Sequence, residues 1–254
     1  MIDYTLKEMM TIVAAREIKN EDIVFCGTGI SMLAAMAAKN INAPESVIFF
    51  ETGAIDSQLK ELPLAVADPR VMYRTSANGG LTDSFATMQN PITGKHVIGI
   101  LGAAQIDKFG NLNSTVIGDY FSPEIRFSGS GGACDVASFV PRSIIFMQHE
   151  KRKFVKHLDY LTSPGYLDGP EGRKKAGLSE GGPVMVISNL GVMGFDEKTK
   201  EMYLKGTYPG ISGQIILDNM EFDMDISKAQ EIRPPSEFEL KLLREKCDPH
   251  RLIL

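Results

Sequence analysis

The amino-acid sequence predicts an α/β protein with an open, mostly parallel sheet flanked by helices. Two apolar runs, residues 22–26 (DIVFC) and 47–50 (VIFF), enclose a Gly27-Thr28-Gly29 turn and a helical stretch. Strand, turn, helix, strand is the order of a βαβ unit, whose strands lie parallel. More β-rich runs follow, and helical patterns stand near both ends of the chain.

The elements follow in order. Residues 5–19 read as an amphipathic helix, with Leu6, Met9, Met10, Val13, Ala14 and Ile18 on one face and Thr5 as N-cap. Residues 22–26 form a short buried strand, residues 30–39 a packed helix, and a second strand ends at Glu51. Residues 96–101 (HVIGIL), 142–148 (RSIIFMQ) and 184–189 (VMVISN) read as further strands. A second clear helix covers residues 236–247. It follows Pro234-Pro235 and opens on a capping box, Ser236 with Glu239. Residues 57–95 and 161–182 are rich in Gly, Pro and Asp and read as long loops. Without repeat or linker, residues 1–254 are expected to form one α/β domain.

Composition narrows the function. With a formal net charge of −5, nothing basic enough for general nucleic-acid binding stands out. Cys26, Cys134 and Cys247 are widely spaced and form no CxxC pair, which suits a reducing cytosol. The start MIDYTLKEMM lacks a signal-peptide pattern, and no apolar run approaches the roughly 20 residues of a membrane span. A cytoplasmic protein is expected. Gly27-Thr28-Gly29 imitates a dinucleotide fingerprint, but Met32 stands where that motif needs a small residue. His149 lacks neighbours at metal-ligand spacing, so no metal site is expected. No GxSxG elbow appears and Cys134 has no evident base, so a hydrolytic triad is not favoured.

Three motifs carry chemistry. Glu51-Thr52-Gly53 follows a buried strand, and in parallel sheets ligands bind at the carboxyl ends of strands. Gly53 would let a substrate approach the carboxylate; a strand-terminal glutamate in a salt bridge is the plainer alternative. Gly129-Ser130-Gly131-Gly132 can aim successive backbone N–H groups at one point, as an anion nest or oxyanion hole, or can be a flexible turn. In residues 102–115 (GAAQIDKFGNLNST), Gln105, Asp107, Asn111 and Asn113 surround Gly110. Amides can orient a substrate carbonyl or carboxylate; equally, Phe109-Gly110-Asn111 is good hairpin-turn chemistry. The basic run 149–154 (HEKRKF) is explained by a solvated face.

Taken together, these motifs resemble the β-type chain of family I CoA-transferases, with the glutaconate-type members the best match. The likeness lies in the Gly-Thr-Gly turn, the strand ending in Glu51-Thr52-Gly53, QIDKFGNLNSTVIGDY, RFSGSGGA, MQHEKRKF, DYLTSPGYLDGP and FDEKTKEMYL. It covers nearly the whole chain and is weakest over residues 73–95.

The resemblance implies the CoA-transferase fold and a ping-pong reaction. Glu51 occupies the position of the family's nucleophilic glutamate. It would pass through an acyl-glutamyl anhydride to a γ-glutamyl-CoA thioester and hand CoA to a second acid. The resemblance puts the GSGGA loop at the acyl oxyanion, making Gly131 and Gly132 candidate backbone donors. Gly53, Gln105, Asn111 and Asn113 are candidates for orienting substrate or CoA. No permanently bound cofactor is implied; a coenzyme A thioester is a substrate. The chain matches only one of the family's two homologous halves, which implies an α-type partner in a heterotetramer or larger assembly. A dicarboxylic acid such as glutaconate, with acetyl-CoA as donor, is the implied substrate pair, and Arg70 and Arg74 are candidates for a distal carboxylate. Two rivals remain: a CoA-ester decarboxylase or ring-opening hydrolase of the same fold, which would generally lack the glutamate, and a non-catalytic CoA-ester-binding subunit.

Overall fold

The computed structural model describes residues 3–59 and 61–254. In chain order the elements begin α1 (Leu6–Glu17), β1 (Ile23–Cys26), α2 (Ile30–Ile41), β2 (Val47–Phe49), β3 (Ala54–Ile55), β4 (Ala77–Asn78), α3 (Leu81–Gln89) and β5 (Val97–Gly102). Then come β6 (Gln105–Ile106), β7 (Leu112–Asn113), β8 (Val116–Gly118), β9 (Pro123–Arg126), α4 (Ala133–Phe139), β10 (Arg142–Met147) and α5 (Gly172–Lys175). The last are β11 (Pro183–Ser188), β12 (Gly191–Phe195), β13 (Met202–Thr207), α6 (Gly213–Asp218), β14 (Gln230–Glu231) and α7 (Glu237–Leu242). The chain divides into two compact units. One runs through Ile100 and takes in Pro234–Leu254; the other is Leu101–Arg233.

In the first unit β1 lies between β5 and β2, parallel to both. This is the expected βαβ arrangement, and its strands are buried through Val24, Phe25, Ile48, Phe49 and Ile98. Two antiparallel additions, β3 on β2 and β4 on β3, extend the sheet. The helix α1 is capped as its sequence foretells: Glu8 N–H donates to Thr5 Oγ1 and Thr5 N–H to Glu8 Oε2. The second capping box also forms, between Ser236 and Glu239. It starts a shorter α-helix than its sequence suggests, because the last turn, Leu243–Cys247, widens into a π-helix.

Each capping glutamate also meets an arginine of the other terminal segment. Arg244 grips Glu8, with Nη2 2.8 Å from Oε2, and Arg16 grips Glu239, with Nη2 2.7 Å from Oε2. The carboxylates Glu8 and Glu239 are buried, so the end of the chain is clasped against α1 by two charge-assisted pairs.

In the second unit β10 and β11 are parallel, β11, β12 and β13 follow antiparallel, and β14 adds in parallel to β13. Ile144, Ile145, Val186 and Ile187 bury the centre. Two small hairpins, β6–β7 and β8–β9, stand outside this sheet. Among the described residues no helix is long and apolar enough to cross a membrane.

Candidate active site

Glu51 follows the carboxyl end of β2 and sits in a tight turn. Gly53 N–H donates to Phe50 O at 3.0 Å, and Phe50 N–H donates to Ala54 O at 3.0 Å, so Glu51 and Thr52 hold the two central turn positions. Phe50 is wholly buried, whereas Glu51 is half-buried. Its carboxylate has no hydrogen-bond or ion-pair partner among the described residues, and the salt bridge of the plainer alternative is not found among them. Gly53 has φ 99°, a conformation that favours glycine. Its carbonyl accepts Gly79 N–H at 2.8 Å. The hydroxyl of Ser84, from α3, donates to Phe50 O at 2.9 Å.

The glycine loop precedes α4 in the second unit. Gly129 and Gly131 have φ 89° and 50°. Ser114 holds the loop on one side: Gly129 N–H donates to Ser114 O, and Ser114 Oγ donates to Gly129 O, both at 3.1 Å. Gly132 is the N-cap of α4. The N–H groups of Gly131 and Gly132 make no hydrogen bond among the described residues, while the next amide, Ala133, closes onto Ser130 O. Successive amides at a left-handed residue followed by a right-handed one, as at Gly131 (φ 50°) and Gly132 (φ −76°), can make a concavity that suits an anion.

The β6–β7 hairpin brings Gln105 and Asn113 together, and the turn chemistry read at Phe109-Gly110-Asn111 forms. Asn113 is fully buried. Its Nδ2 donates to Gln105 Oε1 at 2.7 Å and to Val116 O at 2.6 Å, and its Oδ1 accepts from Thr115 and Val116 N–H. Asn111 Nδ2 donates to Asp107 Oδ2 and Leu167 O, and its Oδ1 accepts from Gly165 and Leu167 N–H. Both amides thus spend their four hydrogen-bonding positions inside the unit. Burial pushes the Asp107 carboxyl above its ordinary value, against the opposing bonds from Asn111 and Phe109. Gln105 differs from the two asparagines. It bonds Asp159 and Asn113 and also lines a cleft.

That cleft, of about 530 Å³, has Ile117, Ile125 and Phe127 as apolar lining and Ser114, Ser128 and Gln105 as polar lining. Arg152 and Lys153 also line it, each paired with Glu150. The basic run is therefore not one solvated face. His149 and Phe154 are buried and stacked with ring centroids 4.1 Å apart, because His149 finds internal partners in Ser188 Oγ and Ile216 O. Burial lowers the His149 pKa to about 4. Arg70 is occupied by Asp68 and Glu61, and Arg74 lies over the Tyr73 ring.

Gly79 and Ser84, which brace the Glu51 turn, do not stand out in the sequence. The local signal is the pair Gly79-Gly80 followed by Asp83, whose Oδ2 accepts Gly80 N–H and starts α3 inside an expected loop.

A glutamate on a braced turn just beyond a parallel strand stands where α/β enzymes present groups to a ligand. The family model described as coenzyme A transferase matches residues 7–219, and the chain belongs to that family. It is 43% identical over 255 residues to the B subunit of glutaconate CoA-transferase of Acidaminococcus fermentans, covering 99% of this chain and 96% of that one. It is 34% identical to the B subunit of 3-oxoadipate CoA-transferase of Pseudomonas knackmussii, covering 96% and 94%. The crystal structure of glutaconate coenzyme A-transferase from A. fermentans superposes with a TM-score of 0.95 at 42% identity, covering 99% and 97% of the two chains.

Proposed function

We propose that this chain is the β-type half of a heteromeric, cytoplasmic CoA-transferase that moves CoA from an acyl-CoA to a carboxylic acid, with Glu51 as nucleophile. The observation that carries the reading is the Glu51 turn: a carboxylate without partners among the described residues, held just past the end of β2. The names of the two relatives support it, and both glutaconate and 3-oxoadipate are dicarboxylates. A dicarboxylic acid is accordingly the proposed acceptor, with acetyl-CoA as donor.

The chemistry needs no net proton transfer. A Glu51 oxygen attacks the thioester carbonyl, the C–S bond breaks, and CoA leaves as thiolate. The thiolate attacks the glutamyl carbonyl of the anhydride, the C–O bond to the first acid breaks, and γ-glutamyl-CoA remains. An incoming carboxylate reverses both steps and departs as its CoA ester. Each tetrahedral centre carries an oxyanion, which preorganised amides stabilise. The N–H groups of Gly131 and Gly132, unbonded among the described residues, are the proposed donors for that task. The cleft lined by Gln105, Phe127 and Lys153 offers apolar wall and positive charge to part of the CoA moiety.

Asn111 and Asn113 then act indirectly, by holding the hairpin that carries Gln105. The relatives are named as one subunit of their enzymes, so an α-type partner is part of the proposal, and the isolated chain should be inactive.

The test is intact-mass spectrometry of the chain, co-expressed with its α-type partner, after exposure to acetyl-CoA. A CoA adduct mapping to Glu51, absent from Glu51→Gln with the fold retained, is expected. Transfer at full rate by Glu51→Gln would sink the reading. Release of CO2 instead of exchange of CoA would favour a lyase.

A further inference from the structure

We infer that Ser84 is a positioning residue for Glu51, acting through the Phe50 carbonyl. The inference rests on Glu51 being the nucleophile.

A carboxylate that must approach a carbonyl carbon from outside the carbonyl plane gains rate when its own backbone is held, because its side chain already carries several free torsions. The Glu51 turn is held from one connection, β4 to α3. At its start, Gly79 N–H bonds Gly53 O at 2.8 Å. Five residues later, the Ser84 hydroxyl reaches Phe50 O at 2.9 Å. The two ends of the turn, Phe50 and Gly53, are thus braced by one short segment, and Glu51 lies between them. The peptide whose oxygen Ser84 binds is the one that carries the Glu51 N–H.

The Ser84 bond is not the ordinary one for its place. A serine inside a helix commonly turns its hydroxyl to the carbonyl four residues earlier. Here Gly80 O takes the Ser84 backbone N–H, and the hydroxyl is committed to a residue 34 positions away in a buried setting. Nor is it needed to satisfy the Phe50 carbonyl, which already accepts Gly53 N–H at 3.0 Å. Removing the hydroxyl therefore leaves no orphaned backbone group. What it removes is the second direction of restraint on the peptide. A residue kept only for stability would be worth little at this position; a residue that aims the nucleophile would show in the rate.

The experiment uses the complex of this chain with its α-type partner and follows the half-reaction with acetyl-CoA, reading the CoA adduct on Glu51 by quench and intact mass. Ser84→Ala should lower the maximal rate of adduct formation by about ten- to a hundredfold. The half-saturating acetyl-CoA concentration should stay within about twofold and Tm should fall only slightly, since the lost bond aims the nucleophile and does not hold the substrate. Ser84→Thr, which keeps the hydroxyl, should restore most of the rate. A Ser84→Ala complex that matches the wild-type rate, or loses rate only in proportion to its folded fraction, overturns the inference. So does a folded Ser84→Thr as slow as Ser84→Ala. If Ser84→Ala does not fold, Ser84→Cys, of similar size and a weaker donor, should be intermediate, and wild-type rate in that variant overturns the inference. Wild-type enzyme without any Glu51 adduct rejects the nucleophile reading and this inference with it; an adduct formed equally fast in Ser84→Ala rejects the inference alone.

Discussion

Gly53 lies so close to Gly79 that a β-carbon on Gly53 would stand 2.0 Å from the Gly79 carbonyl oxygen. The two residues are 26 positions apart in sequence, yet their backbones touch and share a hydrogen bond of 2.8 Å. Gly53 is thus needed twice: for its φ of 99°, and for the absence of a side chain against the Gly79–Gly80 backbone just after β4.

Gly53→Ala should therefore part the turn from its brace. The expected cost is about 2 kcal/mol or more, because the strained φ and the overlap with backbone add. Transfer activity should fall with it, since Glu51 would move. Gly129→Ala provides the contrast. Gly129 also has a positive φ, 89°, but its β-carbon would meet nothing within 4 Å. Thermal unfolding of the two variants should rank Gly53→Ala clearly lower; equal Tm values would contradict the steric account.

The hairpin predicts a charge effect. Asn111 Nδ2 donates to Asp107 Oδ2 at 2.8 Å, with Asn111 buried and Asp107 half-buried. Asn111→Asp would set two carboxylates against each other and leave the Leu167 carbonyl without its side-chain donor. A loss of about 2–4 kcal/mol at neutral pH is expected. Because a protonated acid can donate where the amide did, and burial already raises the Asp107 carboxyl, the deficit should shrink as pH falls and one carboxyl of the pair takes up a proton. Urea unfolding at several pH values checks both statements, and a deficit that stays constant with pH would refute the second.

What was legible in the sequence was local. The two capping boxes join residues three apart, the Phe109–Asn111 turn closes within a few residues, and Glu51 stands out against the apolar run beside it. What was hidden depends on distant partners. Asn111 is satisfied by Gly165 and Leu167, 54 and 56 positions away, and nothing near it in sequence says so. Ser84 and Gly79 gain meaning only once β3 and β4 lie side by side. The antiparallel strands β12 and β13 escape the pattern because Gly191, Gly194 and Gly206 dilute it; Gly194 is bare because the Tyr203 ring of β13 lies over it. Arg70, a candidate for a substrate carboxylate, looks free in sequence because its partners Asp68 and Glu61 stand in a segment that reads only as loop.

Thiol chemistry should separate the three cysteines. Cys26 and Cys247 are buried, and burial pushes both thiols up to about 12, so neither forms thiolate near neutrality. Cys134 is half-buried at the start of α4, next to the glycine loop. Native chain should release one equivalent of dye rapidly from a disulfide reagent, and all three only in denaturant. Rapid modification of Cys26 or Cys247 in folded protein would contradict their packing.

The clasp between the chain termini predicts the shape of the acid limb of stability. Burial raises the Glu239 carboxyl, but hydrogen bonds from Arg16 and from Ser236 outweigh it and hold the group at about 2. Glu8 is lowered in the same way: burial raises it, and Arg244 and the Thr5 N–H more than compensate. A carboxylate whose folded pKa lies below its unfolded value, about 4.3, binds fewer protons folded than unfolded. Its contribution is complete above the unfolded value and drains away as pH falls toward the folded one. Both glutamates should thus contribute fully at neutral pH and progressively less as pH falls below about 5, with the Glu239 contribution draining away down to about 2. For buried Glu239 the full contribution is on the order of 3 kcal/mol. Glu239→Gln keeps a side chain able to cap Ser236 but removes the charge facing Arg16. Its stability deficit should be largest near neutrality and vanish as wild type itself protonates. Denaturant unfolding of both proteins across that range would show two curves converging at low pH. Parallel curves would mean that the Arg16–Glu239 pair carries no pH-dependent stability.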